Sequence, residues 1–329
     1  MWSGGKSAVI ASVVAGLALL AWAGIGSTFG AFSATTANGG NSLSAAPDFV
    51  ACTASATVVA KTSGYVPGFI KQGGTYYVYA NVSDTGNPAS GVASVTANVS
   101  TFDSAGATTV ALASGSFSIG GVTYNYKSAS RTIKNPLPAG AYTYSLTCTD
   151  KASNAGTQNG FSVTVDNTAP AGSDVQTANG GSIPGRPEQG DIVTFTYTEQ
   201  IDPDSILPGW TGASTSVVVR INDGSGSAND SLQIWNASNG SQLPLGQIDL
   251  GRKDYVGANR TFGASGTASA MVQSGATITI TLGTASGAGT TAASTGTMSW
   301  TPSNSAYDRA QNACSTAVVT ESGGADAEF

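Results

Sequence analysis

The chain of 329 residues has no histidine, 3 cysteines and few charges, 13 Lys+Arg against 19 Asp+Glu. Without histidine there is no Ser-His-Asp or Cys-His arrangement, no His-ligated zinc or haem and no imidazole proton shuttle. Charged residues make up 10%, against about 25% in an average soluble domain. Helix surfaces lean on Glu, Lys, Arg and Gln, so this scarcity excludes a helical bundle. The net charge is -6, and phosphate binding needs clustered Lys and Arg, so no nucleic-acid partner is expected. Gly-rich stretches such as residues 283–289 lack the Lys-Ser/Thr of a phosphate loop, and no cofactor is expected. What abounds instead is glycine, 43 residues, about twice the usual share of roughly 7%. Apolar residues reach 40%, enough to build a packed core.

The first residues read as an address. Lys6 is the one charge of a short leading segment, and an uncharged apolar run occupies residues 8–26. It is longer than the roughly 7–15 residues of a signal h-region and close to the about 20 of a membrane span. The run Thr28-Phe29-Gly30-Ala31-Phe32 follows, then polar Thr35, Thr36, Asn38, Gly39, Gly40 and Asn41. This pattern resembles the signal peptides of bacterial biofilm-fibre and camelysin-type proteins. The resemblance implies cleavage between Ala31 and Phe32. The alternative is an uncleaved anchor that holds the chain to the membrane through residues 8–26. Both readings place the remainder outside the cytoplasm, extracellular or at the cell surface.

The remainder reads as all-β. Tyr76, Val78, Ala80 and Val82 share one strand face, and Tyr142, Tyr144, Leu146 and Cys148 share another. Val193, Phe195 and Tyr197 alternate with threonines, as do Ile278, Ile280 and Leu282. Threonine on one face and Val, Ile or aromatics on the other is the pattern of half-buried antiparallel strands. Turn signals divide the runs, among them Gly73-Gly74, Asn135-Pro136, Asp223-Gly224 and Asn239-Gly240. The expected architecture is two tandem antiparallel β-sandwiches at residues 50–168 and 172–329. They follow a signal or anchor helix at residues 1–31 and a polar linker or extra strand at residues 32–49. The boundary rests on Asp166-Asn167-Thr168-Ala169-Pro170, where a proline follows a strand. A short repeat relates the halves: Asp150-Lys151-Ala152-Ser153-Asn154-Ala155 matches Asp308-Arg309-Ala310-Gln311-Asn312-Ala313. Asp and Asn hydrogen-bond their own backbone and tolerate left-handed geometry, so each copy predicts a tight turn.

These segments also resemble bacterial immunoglobulin-like repeats. Ser83-Asp84 with Ser90-Gly91-Val92-Ala93-Ser94-Val95 matches their early strands, and Cys148-Thr149-Asp150-Lys151-Ala152-Ser153-Asn154 matches a later strand and turn. Val165-Asp166-Asn167-Thr168-Ala169-Pro170 matches the junction between repeats. Residues 191–202 are similar to the opening of surface-layer-type Ig-like domains. The resemblance implies the sandwich fold and says little about function, since that fold hosts many roles.

Cys52 and Cys148 frame the first half, and both have inward parity. They are either an inter-sheet disulfide or two buried thiols. A bridge would close a loop of roughly a hundred residues, worth about 4–5 kcal/mol on chain-entropy grounds. Leu146 stands two positions before Cys148, where antibody-like domains carry tyrosine, so the likeness is to bacterial repeats. Cys314 has no partner in its half and is either buried or paired with another chain.

Candidate chemistry is sparse. Asp202-Pro203-Asp204 sets two carboxylates two residues apart, and Asp84, Asp150 and Asp166 lie near strand ends. Oxygen clusters at sandwich tips suit Ca²⁺. No continuous calcium loop is present, and turn-forming aspartate is the simpler account. Trp210, Trp235, Trp300, Tyr255 and Tyr307 are either core or a sugar-stacking platform. Trp210, after Leu207-Pro208-Gly209, is the best candidate for ligand contact. Six Asn-x-Ser/Thr triplets fit a composition rich in these residues and are expected to be unmodified. The sequence therefore predicts a non-catalytic secreted or surface protein, a spacer, adhesin or fibre subunit. Its expected partners are other surface proteins, further copies of itself, or glycans. Residues 32–46 are a candidate strand for donation to a neighbour. The alternatives are a carbohydrate- or ligand-binding module and, more remotely, a carboxylate-pair hydrolase.

Overall fold

Alternating Thr and β-branched or aromatic residues give strands because the pleat sends successive side chains to opposite faces. In Ile192–Tyr197 the inward set is Val193, Phe195 and Tyr197, and in its partner Thr277–Thr281 it is Ile278 and Ile280. Register sets Val193 opposite Ile280 and Phe195 opposite Ile278, so apolar pairs meet across the ladder.

The structure is a computed structural model that describes residues 47–329 apart from Ser225. The expected signal or anchor helix, the Ala31–Phe32 cleavage point and residues 32–46 lie outside the described residues. Among the described residues no helix is long and apolar enough to cross a membrane. Strands are numbered β1 to β19 in chain order. The first sheet has nine strands, in the order β1 (Thr53–Lys61), β3 (Thr75–Ser83), β6 (Val122–Ser128), β5 (Val110–Ile119), β4 (Val92–Asn98), β8 (Gly140–Asp150), β9 (Ala155–Val165) and β2 (Phe69–Ile70), with β7 (Arg131–Thr132) paired to β3. All pairs are antiparallel except β2 with β9. The second sheet has ten strands, in the order β10 (Gly172–Ala178), β11 (Ile192–Tyr197), β17 (Thr277–Thr281), β16 (Ser269–Ser274), β12 (Thr215–Asn222), β13 (Ser231–Asn236), β14 (Gln247–Asp249), β18 (Ser299–Thr301) and β19 (Val319–Thr320), with β15 (Arg260–Phe262) paired to β12. Each sheet draws its strands from one side of the Asp166–Pro170 segment. Asp48–Phe329 nevertheless forms a single compact unit.

The all-β expectation holds, and the arrangement differs in one respect. Alternation leads one to expect two facing sheets in each half, whereas the strands of each half pair in one continuous series that curls until its ends nearly meet. Bulges between Ala54 and Ala56, between Ser114 and Phe117, and between Tyr144 and Leu146 bend the first sheet. Its ends are joined by Gly68 N donating to Val59 O at 2.8 Å. They are joined again by the Gln158 amide, which accepts from Ala54 N at 2.6 Å and donates to Ala54 O at 3.2 Å. That side chain takes the place of a neighbouring peptide unit. The second sheet closes through Asp174 of β10, which accepts from Ser322 N at 2.8 Å and from Ser322 Oγ at 2.9 Å just beyond β19.

Each curl encloses a core. In the first, Tyr76 and Phe102 meet edge to face at 5.2 Å, packed with Ile70, Ile133 and Leu146. One polar group belongs to it. Asp103 is fully buried and accepts from Tyr76 Oη (2.7 Å), Arg131 Nε (2.8 Å) and Arg131 Nη2 (2.7 Å). Burial pushes this carboxyl up, but Arg131 and Tyr76 outweigh it and hold the group below its ordinary value. In the second core Trp300 packs against Phe195 (5.1 Å) and Tyr197 (4.9 Å), with its Nε1 donating to Leu245 O at 2.7 Å. The indole is thus buried without an orphan donor.

Candidate functional site

The two copies of the Asp-x-x-x-Asn repeat fold alike. In the first, Asp150 N donates to Asn154 O and Ser153 N to Asp150 O, and Ser153 takes a φ of 72°. In the second, Asp308 N donates to Asn312 O and Gln311 N to Asp308 O, with Gln311 at 78°. The carboxylate of each aspartate accepts the backbone N–H and the side-chain amide of its asparagine, at 2.8 and 2.8 Å for Asp150 and at 2.7 and 2.8 Å for Asp308. Each asparagine amide then reaches out of its loop. Asn154 Nδ2 donates to Asp48 O at 2.9 Å, and Asn312 Nδ2 donates to Asp166 O at 2.9 Å. Asp48 and Asp166 each lead into the half whose loop grips them.

A third acidic residue joins each pair, giving Asp48, Asp84 and Asp150 in one place and Asp166, Glu199 and Asp308 in the other, with one oxygen per residue within 4.8 Å of the others. Oxygen-only donors of this kind suit a hard cation such as Ca²⁺. Backbone N–H groups already engage these oxygens: Val50 N and Ser90 N on Asp48, and Gly86 N and Gly91 N on Asp84. Those donors hold the Asp48 carboxyl below its ordinary value. In the second triad burial raises Asp308. Burial, then the charges of Asp166 and Asp308, push Glu199 up to about 7. The hydrogen bonds account for Asp48, Asp84, Asp150 and Asp308 as turn structure. The sequence pointed to Asp84, Asp150 and Asp166, and the structure sends Asp166 to a different cluster from the other two. Asp48, Glu199 and Asp308 were not foreseen, although the repeat itself marks Asp308 as the counterpart of Asp150.

The second loop also forms the seam between the halves. Lys71 Nζ donates to Gln311 O at 2.5 Å, Gln311 Nε2 donates to Ser63 Oγ at 2.8 Å, and the Arg309 guanidinium stacks on Phe69 at 3.9 Å. Beneath them lies a buried ion pair. Lys61, 3% exposed, donates to Asp202 Oδ2 (2.5 Å), Arg309 O (2.6 Å) and Val66 O (3.1 Å), so its three protons are all placed. Asp202, fully buried, also accepts from Tyr65 N and Val66 N, and from Asp204 N as the N-cap of the short helix α1 (Pro203–Ile206). Burial pulls the Lys61 ammonium below its ordinary value against the opposing charge of Asp202. Gly64, with a φ of +98°, closes the loop over the pair; a Cβ there would stand 2.6 Å from both Asp202 Oδ2 and Lys61 Cε. The Asp202–Asp204 pair read from sequence is therefore divided: Asp202 serves the seam, and Asp204 Oδ1 accepts from Gly209 N at 2.8 Å.

Trp210 is on a loop as expected but is not an exposed ring. It is 5% exposed, and its Nε1 donates to Ala213 O at 2.5 Å, because the loop folds back on the core. Trp300 and Tyr255 are wholly buried, and Arg220 covers the Trp235 ring at 3.4 Å, so these rings do not assemble into one platform. Cys52 and Cys148 form a disulfide with Cα atoms 5.7 Å apart, and Cys314 is a buried free thiol that burial pushes up to about 11.

Comparison with protein-family models, curated proteins and solved structures returns no match. The functional reading therefore rests on the repeated loops and the seam.

Proposed function

We propose that the chain is a non-catalytic structural or adhesive protein of the cell exterior, a stiff tandem of two curled β units acting as spacer, adhesin or fibre subunit. One observation carries this reading: the same asparagine clasp occurs twice. Asn154 holds the Asp48 carbonyl and Asn312 holds the Asp166 carbonyl, each at 2.9 Å. Each unit thus has a socket for the segment that enters it. In the second unit that segment is the end of the first, and the rest of the loop seats on its predecessor. A unit built to dock what precedes it stacks end to end, which is what a spacer requires. The Cys52–Cys148 disulfide fits an oxidising compartment, in line with the export segment read from residues 1–31. The lack of histidine removes the commonest catalytic side chain. Partners in this reading are other surface proteins, further copies of the chain, or glycans.

Small-angle scattering on the exported chain tests it. The expected result is a single rigid particle whose distance distribution broadens in Asn312→Ala. Two halves that reorient freely in the unmodified chain would overturn the proposal, as would turnover of any member of a polysaccharide and peptide substrate panel.

A further inference from the structure

The segment ending at Phe329 brings a third set of carboxylates together, and it differs from the first two in leaving a buried carboxylate oxygen without a partner. Glu321, Asp326 and Glu328 each place an oxygen within 4.8 Å of the others. Glu321 is 8% and Glu328 1% exposed, while Asp326 opens to solvent. Glu321 Oε1 accepts from Met298 N at 2.9 Å, and Glu328 Oε2 accepts from Thr177 Oγ1 at 2.5 Å. Glu328 Oε1 is shielded from solvent and accepts nothing. Among the described residues no lysine or arginine pairs with any of the three.

An orphaned buried acceptor costs about 1–3 kcal/mol, more when charged, and three carboxylates this close repel one another. A proton shared between Glu321 and Glu328 relieves that one contact and leaves Asp326 to solvent. A cation answers all three. The donors are oxygens only, which selects a hard ion over zinc or copper. They come from an irregular segment, which suits the flexible coordination of calcium better than the strict octahedron of magnesium. Asp326 supplies a route from solvent.

We propose that Glu321, Asp326 and Glu328 form a site for a divalent cation of the calcium class, with Glu328 Oε1 as the ligand held ready for it. The site would clip the C-terminal segment onto the second sheet. That segment is also held there by Glu328 N on Tyr255 Oη (2.7 Å), by Gly296 N on Asp326 O (2.8 Å), by Gly185 N on Phe329 O (2.6 Å), by Phe329 N on Thr177 Oγ1 (3.2 Å) and by the edge contact of Phe329 with Tyr255 at 5.7 Å.

Amide hydrogen exchange read by mass spectrometry on the full exported chain tests this, first stripped with chelator and then with Ca²⁺ alone. An ion bound only to the closed segment slows exchange by about 100-fold when its concentration is 100 times the dissociation constant. That slowing is expected at Met298 and Glu328, and it should vanish in Glu328→Gln and in Asp326→Asn. Asp326 is exposed and outside the packing, so its variant keeps the test intact should Glu328→Gln fail to fold. Unchanged exchange at these amides in the unmodified chain overturns the proposal. Ca²⁺-dependent slowing that persists in Asp326→Asn overturns it too, since the ion would then act elsewhere, as at the other two acidic triads.

Discussion

Replacing Lys61 by methionine tests the seam directly. Methionine keeps the unbranched stem and removes the ammonium, so packing changes little. What is lost is three short donations, to Asp202, Arg309 O and Val66 O. Asp202 is then left fully buried with only backbone donors. Breaking a buried pair by removing one partner costs about 3–5 kcal/mol. The N–H groups of Tyr65, Val66 and Asp204 keep the carboxylate partly compensated, which sets the expectation at about 3 kcal/mol. For a unit of this size each kcal/mol lowers Tm by about 2–4 °C, so the melting point should fall by about 6–12 °C. Calorimetry reads both the shift and its shape. Because the pair lies between the halves, the parent is expected to melt in one transition and the variant in two. Lys61→Met with Asp202→Asn should recover part of the loss, since the uncompensated charge is gone, and the double-mutant cycle isolates the coupling. A Lys61→Met protein that melts within a degree of the parent, in one transition, would refute the idea that this pair binds the halves together.

The Cys52→Ala, Cys148→Ala double variant opens a loop spanning a sequence separation of 96, which should cost up to about 4–5 kcal/mol; a denaturation midpoint that ignores both the variant and added reductant would contradict this. Trp210→Ala should cost about 3–5 kcal/mol, as for a buried indole, and leave any glycan-array signal unchanged; loss of glycan binding at unchanged stability would show that the ring is a contact after all. Glu199 has its carboxyl pushed from 4.5 up to about 7 by burial and then by Asp166 and Asp308. A raised folded value favours the folded state below the unfolded value, and that contribution fades as pH climbs through the folded one. Chelator-treated protein should therefore lose stability between about pH 4.5 and pH 7, and Glu199→Gln should flatten that slope. A slope unchanged in the variant would assign the effect to another group.

Strand parity was legible because one face of each strand is buried: Tyr76, Val78, Ala80 and Val82 point inward as a set, and so do Val193, Phe195 and Tyr197. The repeat announced the loops because Asp and Asn fold such turns with their own side chains, whatever surrounds them. The curling of each half into one continuous sheet was not legible. In the first half it involves bulges at Ala54–Ala56 and Tyr144–Leu146, which insert residues without any mark in composition, and in the second it is closed by Asp174 on the distant Ser322. The Lys61–Asp202 pair spans 141 residues, and nothing local to either residue signals the other. Trp210 misled for a related reason: Leu207-Pro208-Gly209 marks a loop correctly, but not whether that loop folds back over the core. Glu321 and Glu328 carry no local signal, and what brings them together is the packing of their segment against Thr177, Tyr255 and Met298.

The Gln158 amide clasped on Ala54, and Asp174 clasped on Ser322, have a bearing on how copies of this protein can meet. Row upon row of vacant peptide groups is what lets one β protein zip onto the next. Here side chains occupy part of those rows in both halves. A visiting strand would first have to displace a glutamine or an aspartate already satisfied at the same positions. Association of copies by strand addition is thereby disfavoured at these positions, and in the proposed spacer reading contact between copies would fall to sockets like that of Asn312.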